Sequence, residues 1–110
     1  MANIFKNSVT GSIGTTTTTV YTSPSQTVAT VIGVNVANVI SQNISVSVLI
    51  VDTSTSQTRY LVKDALIIPG SSVVLVGGDQ KLVLETGDLL RVVSSQAVSA
   101  DVIVSVLEIS

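Results

Sequence analysis

One stretch decides the fold class: Thr27-Val28-Ala29-Thr30-Val31-Ile32-Gly33-Val34-Asn35-Val36-Ala37-Asn38. Its even-numbered positions carry the larger side chains, and its odd-numbered positions carry mostly small ones. Because successive side chains of a β-strand point to opposite faces, this period of two predicts one long strand whose even positions share a face. Residues 43–52 repeat the alternation, with the even positions from Ile44 to Ile50 on one face.

The composition extends this prediction to the whole chain. Val, Ile and Thr make up 44 of the 110 residues, and only Phe5, Tyr21 and Tyr60 are aromatic. A branched Cβ lowers helix propensity and suits a pleated sheet. The length suits one domain, and turn residues recur at the spacing of a sandwich or barrel. We predict an all-β fold, an antiparallel β-sandwich or jelly roll of about eight strands with an N-terminal arm.

The predicted strands lie near residues 16–22, 27–38, 43–52, 57–62, 72–76, 81–84, 89–95 and 100–109. Residues 63–68 are ambiguous, and residues 64–67 are the one candidate for a helical turn. A turn at Gly77-Gly78-Asp79 is predicted to end the fifth strand, because Gly-Asp pairs between apolar runs are typical of turns.

The first 14 residues differ from the rest of the chain. They carry the only Phe and are followed by five consecutive Thr, at positions 15–19. We predict an N-terminal arm at residues 1–14, with Ile4 and Phe5 docking on a neighbour, and a single sandwich domain at residues 15–110. A frayed, low-complexity terminus is the alternative.

Several predicted strands are apolar on both faces, for example Val48-Leu49-Ile50-Val51 and Ala65-Leu66-Ile67-Ile68. A lone antiparallel sandwich buries only one face of each strand, and exposed apolar strands aggregate. We therefore predict that another copy or a larger scaffold covers the outer faces. Burial of roughly 400 Å² of apolar surface contributes about 10 kcal/mol before association costs. The alternative is burial of strand ends at the two poles of the sandwich. The candidate interface residues are Ile4, Phe5, Leu49, Val51, Leu66 and Ile68.

The chain lacks the residue types on which most catalytic and metal-binding sites depend. The chain has no His and no Cys, which removes the usual transition-metal ligands, His-activated nucleophiles and disulfides. Carboxylates remain, but sugar hydrolysis usually needs aromatic platforms, and there is no Trp. The turns with Asp52, Asp79 or Asp88 are weak calcium candidates because they lack EF-hand spacing. We predict no enzyme activity, no catalytic residues, no metal and no cofactor.

Charge and hydropathy exclude two classes of partner. Five Lys and Arg are scattered along a chain of net charge −2, so nucleic-acid binding is not expected. No apolar run reaches the ~20 residues of a membrane span, and no secretory signal is visible. We predict neither a nucleic-acid nor a membrane partner.

Six segments, taken in order, resemble those of a known class of proteins. They are Met1-Ala2-Asn3-Ile4-Phe5-Lys6-Asn7, Val20-Tyr21-Thr22, Ile32-Gly33-Val34-Asn35-Val36-Ala37-Asn38, Ile68-Pro69-Gly70-Ser71-Ser72, Leu82-Val83-Leu84 with Gly87-Asp88, and Ser105-Val106-Leu107-Glu108-Ile109. The chain resembles small virion structural proteins of tailed bacteriophages, β-sandwich or jelly-roll proteins that decorate, cement or staple an icosahedral head.

The resemblance implies a cement or decoration protein on the capsid surface of the virion, assembled in the host cytoplasm. It implies a homo-oligomer (dimer or trimer) that contacts the major capsid protein and bridges capsomers. The alternative is a phage neck, tail or fibre module for binding or adhesion. Its contact surface would be the loops at residues 23–25, 53–56 and 96–99.

Overall fold

A computed structural model describes residues 3–77 and 81–110, and these form two antiparallel sheets. Within the described residues the strands are β1 (Asn3–Ile13), β2 (Thr18–Thr22), β3 (Val28–Asn38), β4 (Ile44–Asp52), β5 (Gln57–Ile67), β6 (Ser72–Val76), β7 (Leu82–Leu84), β8 (Leu89–Ser94) and β9 (Ala100–Ile109). The all-β, antiparallel sandwich prediction is confirmed. Met1, Ala2 and residues 78–80 lie outside the described residues, and with them part of the predicted turn at Gly77-Gly78-Asp79.

The two sheets interleave the first and second halves of the chain. Sheet A has the order β1-β9-β3-β6, with β7 also pairing β3, and sheet B has the order β2-β8-β4-β5. Each strand from β1 to β4 thus lies beside one to three strands from the second half. This connectivity is that of a jelly roll, in which two Greek keys wrap around one core.

The inward faces of the two sheets form a core of aliphatic side chains. In β9, Val102, Val104 and Val106 are buried, and in β4 the even positions from Ile44 to Val48 are buried. The predicted period of two is confirmed in both strands. Because the chain has no disulfide, interdigitation of these branched side chains holds the sheets together.

A β-bulge in β3 reverses the predicted alternation. Val31 pairs with Val106, but Gly33 pairs with Ser105, so one extra residue lies between the two pairs. Ala29 and Val31 are buried before the bulge, and Val34 is buried after it. The prediction that the even positions share one face was therefore wrong, since an extra residue changes the phase of every side chain that follows.

The segment at residues 63–68 is strand rather than helix. β5 extends to Ile67 as a bulged strand, and the helical turn considered at residues 64–67 was wrong. Asp64 adopts a left-handed conformation, with φ of 55°, and its backbone N–H donates to the Ser47 hydroxyl oxygen at 3.0 Å. Asp tolerates this conformation better than most residues, so the chain bulges here and continues.

Residues 3–13 lie in sheet A as β1, which pairs antiparallel with β9 from Asn3↔Ile109 to Ile13↔Ala100. This strand is the ninth, beyond the eight expected. The division into an arm at residues 1–14 and a sandwich at residues 15–110 stays a prediction. In the part of the chain that is described, no helix is long and apolar enough to span a lipid bilayer.

The core can be tested with two matched Leu→Ala substitutions. Leu84 is completely buried, whereas Leu66 is 65% exposed. We expect Leu84→Ala to lower the free energy of unfolding by about 2–5 kcal/mol, because it leaves a cavity, and Leu66→Ala to change it by less than about 0.5 kcal/mol. Urea unfolding of both variants at low protein concentration measures the difference. Equal losses would contradict the assignment of inward and outward faces.

Candidate interaction surfaces

The outer face of sheet A exposes many apolar side chains among uncharged polar ones, and it carries little charge in the described residues. Among the described residues, the register places these apolar side chains on it: Phe5 and Val9 of β1, Val28 of β3, Val74 of β6, Val83 of β7, and Ile103, Leu107 and Ile109 of β9. All but Leu107 and Ile109 are exposed. The one charged side chain that the register places on this face is Asp101, whose carboxylate accepts from the Ser12 backbone N–H at 3.3 Å. Depletion of charge over exposed apolar side chains is typical of the centre of an interface.

Sheet B presents a more polar surface. Arg91 donates from Nε to the Thr19 hydroxyl at 3.1 Å. The Lys63 ammonium lies 5.3 Å from the centroid of the Tyr60 ring, a cation–π contact. The apolar side chain of Leu49 pairs with Arg91 on one side and Tyr60 on the other, and it is half-buried. Neighbours within the same sheet therefore already cover part of its apolar surface.

The six predicted interface residues do not form one surface. Ile4 and Phe5 are exposed in sheet A, where they point to opposite sides of β1. Leu66 and Ile68 are exposed at the end of β5, in and just after sheet B. Leu49 and Val51 of β4 are half-buried. The prediction that these six form an interface remains untested.

Sequence reasoning missed several exposed apolar residues of sheet A. These are Val9, Val28, Val74, Val83 and Ile103. Phe5 and Val9 are separated by three polar or charged residues and gave little signal in the sequence, but positions 5, 7 and 9 share one face once residues 3–13 are taken as a strand. The assignment of these residues to an arm hid that pattern.

A polar cluster lies at one end of the interior. The inward alternation of β9 ends at Glu108, which is buried. The Lys6 ammonium lies 3.3 Å from Glu108 Oε1, and the Tyr21 hydroxyl donates to Oε2 at 2.6 Å. Burial, then the hydrogen bond to Glu108 and the charge of that carboxylate, raise the pKa of Tyr21 well above its usual value. The cluster connects β1 and β9 of sheet A to β2 of sheet B.

A shallow, open depression of about 290 Å³ lies on sheet A beside the β3 bulge. It is lined by Phe5, Lys6, Asn7, Ile32, Ser105 and Val106. Lys6 is its one charged residue, and this ammonium is already paired with Glu108. None of its lining residues is a carboxylate, so the depression lacks the pair of facing carboxylates that a glycosidase uses.

Three acidic residues converge where two turns meet. Carboxylate oxygens of Asp52, Glu85 and Asp88 lie within 4.8 Å of one another. Asp88 Oδ1 accepts from the Thr53 N–H at 3.2 Å, and Oδ2 accepts from the Glu85 N–H at 2.9 Å. These bonds tie two adjacent turns together, which gives the buried Asp88 a structural role.

Asp52 likewise accepts hydrogen bonds within its own turn. Its Oδ1 accepts from the Ser54 hydroxyl at 2.8 Å and from the Ser54 backbone N–H at 3.2 Å. The hydrogen bond from the Ser54 hydroxyl, with support from backbone N–H groups, lowers the pKa of Asp52. Asp79, the third acid considered for calcium, lies outside the described residues.

The three loops considered for adhesion lie at two ends of the sandwich. The Ser23 N–H donates to the Asp88 carbonyl at 3.0 Å, and Thr53 donates to the Asp88 side chain, so two loops meet at one end. The Ser99 N–H donates to the Ile13 carbonyl at 2.9 Å, which places the third loop at the Ile13 end of β1. The loops therefore do not form one contact surface.

The Glu108 cluster predicts a pH-dependent contribution to stability. Tyr21→Phe removes the hydroxyl that donates to the buried carboxylate, so we expect a loss of about 1–3 kcal/mol at neutral pH. The raised pKa of Tyr21 means that this stabilisation is fully present below the ordinary tyrosine pKa of about 10 and is lost as the pH rises beyond it. Denaturant unfolding at neutral and alkaline pH measures both effects. The exposed Tyr60→Phe is the control, and equal losses in the two variants would contradict the assignment.

The acidic turn cluster predicts a structural cost rather than a calcium response. Asp88→Ala leaves the Thr53 and Glu85 N–H groups without their acceptor, so we expect a loss of about 1–3 kcal/mol. Glu85→Ala, at an exposed position of the same cluster, is expected to change stability by less than about 0.5 kcal/mol. Thermal unfolding with and without added calcium tests the prediction that no metal binds. If calcium raises the Tm of the unmodified protein but not that of Glu85→Ala, the prediction is overturned.

By sequence, the chain matches no protein-family model and no curated protein. By structure, it is similar to a chain from the disulfide-linked pili of Bacillus endospore appendages, with a TM-score of 0.59 and 10% identity over 98% of this chain and 88% of that one. It is also similar to part of a chain of infectious bursal disease virus, Gx strain, with a TM-score of 0.52 and 12% identity over 97% of this chain and 33% of the viral chain. The chain thus spans about a third of that viral chain, and at these identities the likeness is one of fold.

Proposed function

We propose that the chain is a structural subunit of a virus particle, a cement or decoration protein on the head of a tailed bacteriophage. The observation that carries this proposal is the outer face of sheet A, which exposes many apolar side chains and carries little charge, on a sandwich with its own buried aliphatic core. Such a face gains free energy when another protein surface covers it. The major capsid protein is the partner we propose for it.

The geometry of the exposed apolar residues supports a bridging role. One set lies on the outer face of sheet A, around Phe5 and Val74, and another lies at the end of β5, at Leu66 and Ile68. Because the two sets are on opposite sheets, one subunit can contact two neighbouring capsomers at once. Simultaneous contacts raise the overall affinity beyond that of either contact alone.

The mechanism is mechanical. A sandwich with short turns and a packed aliphatic core deforms little, so a subunit anchored at two points resists separation of the capsomers. Residues 1–14 contribute as an arm through Ile4 and Phe5, which lie at the open edge of sheet A. The chain has no Cys, so the proposed contacts involve no disulfide.

The fold supports a role in assembly of this kind. The similar chains come from the pili of Bacillus endospore appendages and from infectious bursal disease virus. This likeness of fold supports a role in an assembly, which we propose for this chain as well. The phage-head assignment rests on the sequence resemblance and the apolar faces.

The proposal is tested on purified particles. We expect quantitative mass spectrometry to find the chain in virions at on the order of hundreds of copies, as capsid symmetry requires of a head protein. A copy number of about six to eighteen would instead indicate a neck or tail module built on a low-order symmetry axis. Absence from purified virions would overturn the proposal.

A rebinding experiment locates the contact. We expect purified protein to rebind heads stripped of it, and Val74→Lys to weaken that rebinding at least tenfold, because it places a charge among the exposed apolar side chains of the outer face of sheet A. Thr58→Lys, at an exposed position of β5, is the matched control and should rebind like the unmodified protein. Equal rebinding by both variants would exclude the sheet A face as the contact.

A further inference from the structure

The sandwich has four lateral edges, and three of them are interrupted. The edge opposite β1 in sheet A is divided between β6 and β7, which pair with different parts of β3. In sheet B, β2 is five residues long and bulged between Thr19 and Tyr21. β5 is bulged at Asp64 and also carries Arg59 and Lys63. Breaks, bulges and charges of this kind prevent further strands from adding to an edge.

The fourth edge, β1, is open. Its pairing with β9 is regular from Asn3↔Ile109 to Thr10↔Val102, and the irregularity comes only after Thr10. The strand has no Pro, and its one charged residue, Lys6, already lies 3.3 Å from Glu108. The main-chain groups on its free side are thus presented along a straight strand, the arrangement to which another strand adds.

Two apolar side chains of β1 are also highly exposed. Phe5 is 74% exposed and Val9 is 68% exposed, the two highest values among the large apolar side chains of the described residues. Both point to the outer face of sheet A, and Asn7 lies between them on that face. A strand added beside β1 would bring apolar side chains against this pair.

We propose that this strand is β1 of a second copy, paired antiparallel about a two-fold axis at Asn7, so that sheet A continues from one subunit into the other. Residue i of one copy then faces residue 14 − i of its partner. Phe5 lies opposite the partner's Val9, and Val9 lies opposite the partner's Phe5. Two-fold pairing uses the same surface on both subunits, so it closes after two copies.

Two features favour an axis at Asn7 over neighbouring registers: the charge of Lys6 and the alternation of side chains between the two faces of the sheet. A shift of the axis to Lys6 places two ammonium groups directly opposite each other, which is unfavourable. An axis between two residues brings the outer face of one strand beside the inner face of the other and breaks the alternation of the joined sheet. With the axis at Asn7, Lys6 lies opposite the partner's Ser8, and the apolar pairs form on the outer face.

The size of the contact predicts a weak dimer. Nine residues, from Asn3 to Gly11, form a strand pair about 30 Å long. A strip of that length about 10 Å deep covers roughly 300 Å² per subunit, well below the ~800 Å² of a standard stable interface. We therefore expect a dimer that depends on concentration and is favoured where many subunits lie side by side. This dimer goes beyond the proposed function and does not require it.

The lack of native Cys makes disulfide trapping a direct test. Residues directly opposite each other in an antiparallel pair have Cα atoms about 4.5–5.5 Å apart, within reach of a disulfide. We expect Asn7→Cys, on the axis, to form a covalent dimer under mild oxidation of the purified protein. Ser72→Cys, exposed in β6 at the opposite edge of sheet A, is the matched control and should remain a monomer.

A second pair of variants tests the dimer without a covalent bond. Asn7→Lys places like charges on the axis, so we expect analytical ultracentrifugation to show at least a tenfold weaker dimer than for the unmodified protein. Ser72→Lys should leave the association unchanged. Circular dichroism checks that both variants keep the β fold, which is expected because both positions are exposed.

The outcomes separate this inference from the proposed function. Cross-linking equal in Asn7→Cys and Ser72→Cys, or association unchanged by Asn7→Lys, would overturn the β1 dimer even if the chain is abundant in virions. A cross-linked Asn7→Cys dimer together with absence from virions would support the dimer and overturn the phage-head assignment. Cross-linking of Phe5→Cys to itself, without cross-linking of Asn7→Cys, would overturn the proposed register.

Discussion

One constraint governs the structure: the sandwich has a single interior, but many of its strands are apolar on both faces. The interior takes one set of aliphatic side chains, such as Val104 and Leu90, and these are completely buried. The other set, such as Val74 and Val83, must face outward because side chains alternate along a strand. No helix in the described residues packs over these outward side chains, so they remain available to another protein surface.

The Glu108 cluster explains why the open edge strand stays in place. β1 buries few of its own side chains, since only Ile13 is fully buried. Its other anchors include main-chain pairing to β9, the Ser8 hydroxyl donating to the Val20 carbonyl at 2.7 Å, and the Lys6–Glu108 ion pair. A partly exposed ion pair contributes little alone, but Tyr21 also binds the same carboxylate and connects it to the other sheet. The edge is therefore fixed to the core while its outer side remains free.

The fold class and the inward faces of β4 and β9 could be predicted from alternation alone, because these strands contain no bulge that reverses their own pattern. The faces of β3 could not, because the bulge at residues 32 and 33 leaves no distinctive residue pattern and depends on pairing with β9. The same limit applied to Asp64, whose left-handed conformation depends on Ser47, which is 17 residues away along the chain. Candidate surface residues in β1 were incompletely predicted because residues 3–13 gain their strand structure from β9, at the far end of the sequence.

Bulges also decide which surfaces remain open to partners. In β2 and β5 they bend or interrupt the edge, and the division of the β6–β7 edge has the same effect, so lateral growth of the sheets is blocked on three sides. The bulge of β1 lies between Thr10 and Ile13, near the end of the strand and after eight regular pairs with β9. Growth is thus confined to one edge, and a two-fold contact there uses that edge completely. In the proposed dimer the outer face of sheet A extends across two subunits, which doubles the surface that the dimer can present to a partner.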